Sequence, residues 1–243
     1  TPMKLNQTAL ACALGTALVS AGQALAEESP HSFSANVAGT TNYMFRGISQ
    51  TGNGPAVQGG FDYAYTPFGL YLGVWGSNVK SSGFGGASLE LDIYGGWAPT
   101  WDNFGLDIGY LRYQYPTTDD TDNNTNEFHI GASYDFTYLT PSFTVNYSDD
   151  WFGTDDAWYY DLSVDVPLPY DFALAGHYGW QDFDSNSGLD DYQDWSIGVS
   201  REFYGFGFDL SYVGTAKNDK DLNCDNDTFK CSNTVVFTVS KEF

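Results

Sequence analysis

From Ser32 onward, apolar and polar side chains alternate with a period of two, in segments of about ten residues bounded by glycine, proline, aspartate or asparagine. The stretch SLELDIYGGW puts Leu89, Leu91, Ile93 and Trp97 on one face and Glu90, Asp92 and Tyr94 on the other. NEFHIGASYDF repeats the scheme, with Phe128, Ile130, Ala132, Tyr134 and Phe136 against Glu127, His129, Ser133 and Asp135. Helical spacing is sustained nowhere in the mature chain, so the pattern specifies an all-β protein.

The alternating segments predict about twelve strands, near 33–45, 55–66, 68–78, 88–98, 103–115, 126–137, 139–148, 157–166, 170–181, 192–203, 205–215 and 234–243. Their connections alternate in length: a longer polar loop, then a tight turn such as TPFG, PTWDN, FTY, PLPY or EFYG, then a longer loop again. An up-and-down meander with short turns at one end and long loops at the other is the plan of outer-membrane barrels. A soluble β-sandwich has no reason to sort its connections this way.

The aromatic residues, 18% of the chain, distinguish the same two folds. A sandwich core wants interlocking aliphatics, whereas a lipid-facing surface carries aromatic girdles near both strand ends. Phe68, Trp101, Tyr138, Tyr170, Tyr204 and Phe243 stand by the short turns. Trp75, Tyr115, Tyr147, Trp158, Trp180, Trp195 and Tyr212 stand towards the long loops. These form two candidate girdles.

No sheet edge can lie in hydrocarbon with unpaired N–H and C=O groups, so the last strand must close on the first. The segment NTVVFTVSKEF, with Val235, Phe237, Val239 and Phe243 as its apolar row, is the predicted seam partner of 33–45. Arg201 and Lys241 break the outward apolar rows beside the short-turn rim, where long basic side chains reach headgroups.

MKLNQTALACALGTALVSAGQALAEE has a basic start at Lys4, an apolar run from Thr8 to Val19 and a small-residue site at Ala24-Leu25-Ala26. It predicts a cleaved signal peptide over 1–26 and an outer-membrane barrel domain over 27–243. Cys12 leaves with the leader. Cys224 and Cys231, in an oxidising compartment, predict a disulfide, and no metal site is expected there.

At ANVAGTTNYMFRGISQT, PAVQGGFDYAYTPFGLYLGVWGSNV and ELDIYGGWAP the chain resembles the TorF family of porins, proteins first grouped as conserved hypothetical. YQYP at 113–116, NEFHIGASY and the terminal TVSKEF extend the resemblance over essentially the whole mature chain. It implies an outer-membrane β-barrel and a porin, and brings no catalytic residues with it.

By period two the lumen face holds Asp62, Glu90, Asp92, Asp107, Glu127, Asp135, Asp161, Asp165, Asp171, Asp194, Glu202 and Asp209, with Arg46, His129 and His177 as the exceptions. Opposite charges at contact distance in a narrow barrel attract by about 1 to 4 kcal/mol before screening, so this lining favours cations. The competing expectation is a lumen filled by Tyr71, Tyr94, Tyr113 and Tyr159 and by hydrogen-bonded carboxylates. Arg46, alone among acids, reads as a structural ion pair before a constriction residue.

Asp120, Asp122 and Asn124 follow a spaced oxygen-ligand pattern for Ca²⁺, but Thr125 stands where an EF-hand needs glycine, so solvated acidic loops are the plainer account. With 31 acidic against 9 basic residues, nucleic acid is excluded as a partner. No nucleophile, base and orienting group share a telling spacing, and no phosphate loop or zinc pattern occurs, so neither an enzyme nor a cofactor is expected.

The sequence thus predicts an all-β, closed, antiparallel up-and-down transmembrane β-barrel in the bacterial outer membrane. Its expected function is passive diffusion of small cationic or neutral solutes. Expected partners are the lipid bilayer, outer-leaflet lipopolysaccharide, barrel-insertion machinery and the solutes themselves. The alternatives are a non-conducting barrel whose acidic loops serve adhesion, and an exported soluble β protein that binds a ligand.

Overall fold

The computed structural model describes residues 29–116, 123–216, 224 and 231–243. The expected leader over 1–26, and Asp120 and Asp122 of the candidate Ca²⁺ pattern, lie outside these residues. The strands, in chain order, are β1 (His31–Thr40), β2 (Met44–Phe45), β3 (Ile48–Ser49), β4 (Ala56–Tyr65), β5 (Leu70–Asn78), β6 (Leu89–Trp97), β7 (Thr100–Trp101), β8 (Phe104–Gln114), β9 (Thr125–Tyr134), β10 (Thr140–Ser148), β11 (Ala157–Leu168), β12 (Phe172–Phe183), β13 (Tyr192–Phe203), β14 (Phe206–Thr215) and β15 (Thr234–Glu242). No helix among the described residues is long and apolar enough to cross a membrane, which says nothing against crossing by strands.

All of these except β2, β3 and the stub β7 form one closed antiparallel barrel of twelve strands, with β6 paired to β8 and β15 to β1. The seam runs from Asn36↔Glu242 to Thr40↔Thr238. It is extended at one end by Phe243 N–H donating to Ala35 O at 2.9 Å and at the other by Thr41 N–H donating to Phe237 O at 3.0 Å. Every strand therefore has a neighbour on both sides, the condition hydrocarbon imposes on a spanning sheet.

The short turns form because their residues accept special backbone geometry. Tyr204 and Gly205 both take positive φ, 52° and 71°, in a two-residue connection whose twist matches the flanking strands. At Gly69, with φ 68°, a Cβ would lie 2.7 Å from the Ala98 carbonyl, so only glycine fits that corner.

The two faces are inverted relative to a water-soluble domain. Outward side chains are large, apolar and open, among them Phe33, Val57, Leu72, Ile130, Leu162 and Ile197. Inward ones include the buried carboxylates of Glu90, Asp92, Asp107 and Asp194. An apolar surface so continuous is the outward face expected of a barrel that meets lipid.

Two expectations change. The first strand ends at Thr40, not near 45, because Asn42 binds its own loop in place of the ladder. Ser49 Oγ and Thr51 Oγ1 donate to Asn42 Oδ1 at 2.6 and 3.2 Å, and Asn42 Nδ2 donates to Asn53 Oδ1 at 3.0 Å. The other change concerns the girdles. Trp75 and Tyr115 fall on the inward alternation and pack inside the barrel, with Tyr115 3% exposed. The remaining aromatics named for the long-loop end, Tyr147, Trp158, Trp180, Trp195 and Tyr212, face outward.

Candidate functional site

The first long connection, 41–55, folds into the barrel, where β2 and β3 make a hairpin pairing Phe45 with Ile48. Its turn is Arg46-Gly47, with φ of 46° and 76°. A Cβ on Gly47 would lie 2.7 Å from both Asp194 Cβ and Thr215 Cγ2, so the turn is pressed against the β13–β14 side of the wall. On the opposite side Tyr43 OH donates to Glu90 Oε1 of β6 at 2.6 Å. The hairpin thus spans the lumen at its long-loop end.

Arg46 is the centre of this arrangement. Its Nη2 lies 2.6 Å from Glu127 Oε2 of β9, and its Nη1 donates to Gln181 Oε1 of β12 at 3.0 Å. The guanidinium also stacks over Tyr159 at 3.9 Å and Trp151 at 4.7 Å from the ring centroids. Burial works against its charge, and the Glu127 carboxylate beside it outweighs that, holding the group above its ordinary value. Burial, reinforced by the charges of Glu90 and Asp92, likewise pushes the Tyr43 phenol well up.

Beneath the hairpin the inward carboxylates divide by depth. Glu90 accepts from Tyr43 and from Tyr115 OH at 2.7 Å, while Asp92 is fully buried with neither oxygen bonded. Asp107 accepts from Tyr71 OH at 2.9 Å and lies 3.3 Å from His129 Nε2. His177 is held between Asp161 and Asp194 at 2.6 and 2.7 Å, and Tyr159 OH donates to Asp194 Oδ2 at 3.1 Å. Ser163 Oγ donates to Asp161.

Towards the short turns the lumen opens. Asp62 accepts from Tyr94 OH, and Asp209 accepts from Ser211 Oγ at 2.6 Å. Asp165 and Glu202 are exposed on the inward alternation. Asp135 lies just past β9, where its Oδ1 accepts the Thr137 N–H at 2.6 Å. Asp171 departs from the predicted lining: it sits in the exposed turn Pro169–Asp171 with φ of 62°, because the proline forces the chain out of the ladder before the alternation reaches it.

Elsewhere, Cys224 and Cys231 are joined by a disulfide. Asn124 Oδ1 accepts the Tyr115 N–H at 2.9 Å, a loop-closing role. Val235, Phe237 and Val239 alternate outward along β15. No group of three or more His, Cys, Asp or Glu placed to hold a metal ion occurs among the described residues.

The hairpin, Gln181 and the Tyr159 and Trp151 stacks were not anticipated from sequence. One local signal was available, since an Arg-Gly pair flanked by Phe45 and Ile48 is a two-residue hairpin pattern.

The fold is shared with solved porins. The KdgM porin superposes with a TM-score of 0.57 at 7% identity, covering 86% of this chain and 98% of that one. KdgM in complex with disordered oligogalacturonate gives 0.58 at 7% identity, with 86% and 98% covered. The NanC porin gives 0.57 at 10% identity, with 85% and 97% covered. At such identities the likeness is one of fold. Residues 24–243 match the model of a bacterial protein family described as of unknown function, Gcw_chp. No curated protein matches the chain by sequence.

Proposed function

The chain belongs to the Gcw_chp family of bacterial proteins, and we propose that it is an outer-membrane porin through which small cationic or neutral solutes diffuse passively. The observation that carries this reading is the inner wall. Among the described residues, Arg46 is the one Arg or Lys inside the barrel, and Glu127 neutralises it. The ion pairs among those residues do not include Asp62, Asp165 or Asp209, so the short-turn half of the lumen keeps negative charge. Such a wall concentrates cations and repels anions within about a Debye length, ~8 Å at physiological salt.

The shared fold with KdgM and NanC and the resemblance of NYMFRGISQT and GLYLGVWGSN to TorF porins support a channel and an outer-membrane location. The anionic oligogalacturonate of the KdgM complex is a poor match for a carboxylate-lined wall. The hairpin then acts as the constriction, leaving passage to solutes small enough to skirt or displace it.

One feature favours a second reading. Ser49 within the hairpin and Asp92 beneath it are fully buried, as in a barrel closed at its mouth, which suits a non-conducting protein whose acidic loops serve surface interaction. Swelling of liposomes that contain the intact barrel separates the two. The channel admits galactose and a cationic amino-acid ester faster than galacturonate; equal, absent or reversed rates contradict it.

A further inference from the structure

Basic residues number only 9 against 31 acids, so their placement is informative. Arg201 and Lys241 both occupy outward positions near the short-turn end of the wall, on the strands that flank β14. Arg201 continues the row of Ile197 and Val199, and Lys241 that of Phe237 and Val239. A charge placed there is costly against acyl chains alone and favourable only at a headgroup.

Each side chain lies against aromatic rings at this rim. Lys241 Nζ crosses the start of β14 to donate to Gly205 O at 3.0 Å, 4.8 Å from the Phe206 ring centroid. Arg201 Cζ lies 4.9 Å from the Phe172 ring and 5.8 Å from that of Phe203. Phe203 and Phe206 are cross-strand partners, so the two cations flank one aromatic pair. Neither joins an ion pair among the described residues, the exposed Asp171 of the adjacent turn included, and Arg201 Nε is buried with no acceptor. Their chain neighbours Glu202 and Glu242 point to the other side of the wall by alternation.

A shallow apolar groove of about 240 Å³ lies further along the same strands, lined by Leu174, Ile197, Val199, Leu210, Tyr212 and Val235. Val199 is two positions from Arg201 on the same face. Two outward cations on the short-turn side of an open apolar groove suit the charged head and apolar tail of an anionic phospholipid.

We infer that Arg201 and Lys241 bind the phosphate of an anionic phospholipid whose acyl chain lies in the groove of β12–β15. This rests on the proposed placement of the outward face in a bilayer. The two cations add a preference for anionic over zwitterionic lipid at the short-turn rim and fix the height of the wall in the membrane.

The test reconstitutes the intact barrel in mixed phosphatidylglycerol and phosphatidylcholine and counts retained lipid by native mass spectrometry. The wild type retains phosphatidylglycerol over phosphatidylcholine by about fivefold or more, and R201Q/K241Q loses that preference while keeping heat-modifiable migration. A barrel that enters no bilayer overturns the membrane reading and this inference together. A barrel that enters but retains both lipids equally, keeps its preference in R201Q/K241Q, or releases phosphatidylglycerol to millimolar inorganic phosphate overturns this inference alone.

Discussion

Arg46, at the tip of an inward hairpin, lies 2.6 Å from Glu127 on β9, and both side chains are buried. This contact joins the first loop to the wall of the barrel across the lumen and holds it there by charge.

Removing one partner of a buried ion pair leaves the other without a counter-charge, at a cost of about 3–5 kcal/mol. Arg46→Ala is therefore expected to lower the temperature at which the compact gel band gives way to the unfolded one. Arg46→Gln combined with Glu127→Gln recovers much of the loss, since neither charge is then stranded. A double variant as unstable as R46A would contradict the pairing.

Gly47 tests the docking of the hairpin independently. Its φ of 76° and the 2.7 Å approach of a Cβ to Asp194 and Thr215 leave no room for a side chain. Gly47→Val should force the tip off the wall, at about 1–3 kcal/mol for the backbone alone, and raise single-channel conductance. Conductance equal to the wild type would mean that the hairpin does not obstruct the path.

The inverted wall predicts opposite outcomes at adjoining positions. Leu162 faces outward and Ser163 inward on β11, and Ser142 of β10 is the cross-strand partner of Ser163. Leu162→Arg places a charge in lipid and costs about 2–4 kcal/mol near the midplane. Ser142→Arg, facing the lumen, should leave stability nearly unchanged and shift the reversal potential towards anions. Urea titration of barrels folded in vesicles reads the first effect; equal destabilisation by both variants would contradict the assigned faces.

Strand count, antiparallel order and the β1–β15 seam were legible because a wall that separates two media imposes a strict period of two on every strand. The short turns were legible through Gly69, Gly205 and the prolines, whose backbone limits are local. The hairpin was hidden for the opposite reason. Whether residues 41–55 extend outward or fold inward is decided by partners far along the chain, Glu90, Glu127 and Gln181, which no local pattern reveals. Distance from the strand end puts Trp75 and Tyr115 in a girdle, but the alternation turns both inward, where they pack in the barrel. Asp171 sits in the turn Pro169–Asp171, where positive φ at Tyr170 and Asp171 takes the chain out of the ladder, so the strand alternation does not place it.

Reversal potential in a planar bilayer under a potassium chloride gradient tests the central claim most directly, because it reads the charge of the path itself. The intact barrel is predicted to give small single-channel steps whose reversal potential takes the sign set by potassium flow. Anion-selective steps, or a silent bilayer that contains folded barrel, would contradict a carboxylate-lined conduit.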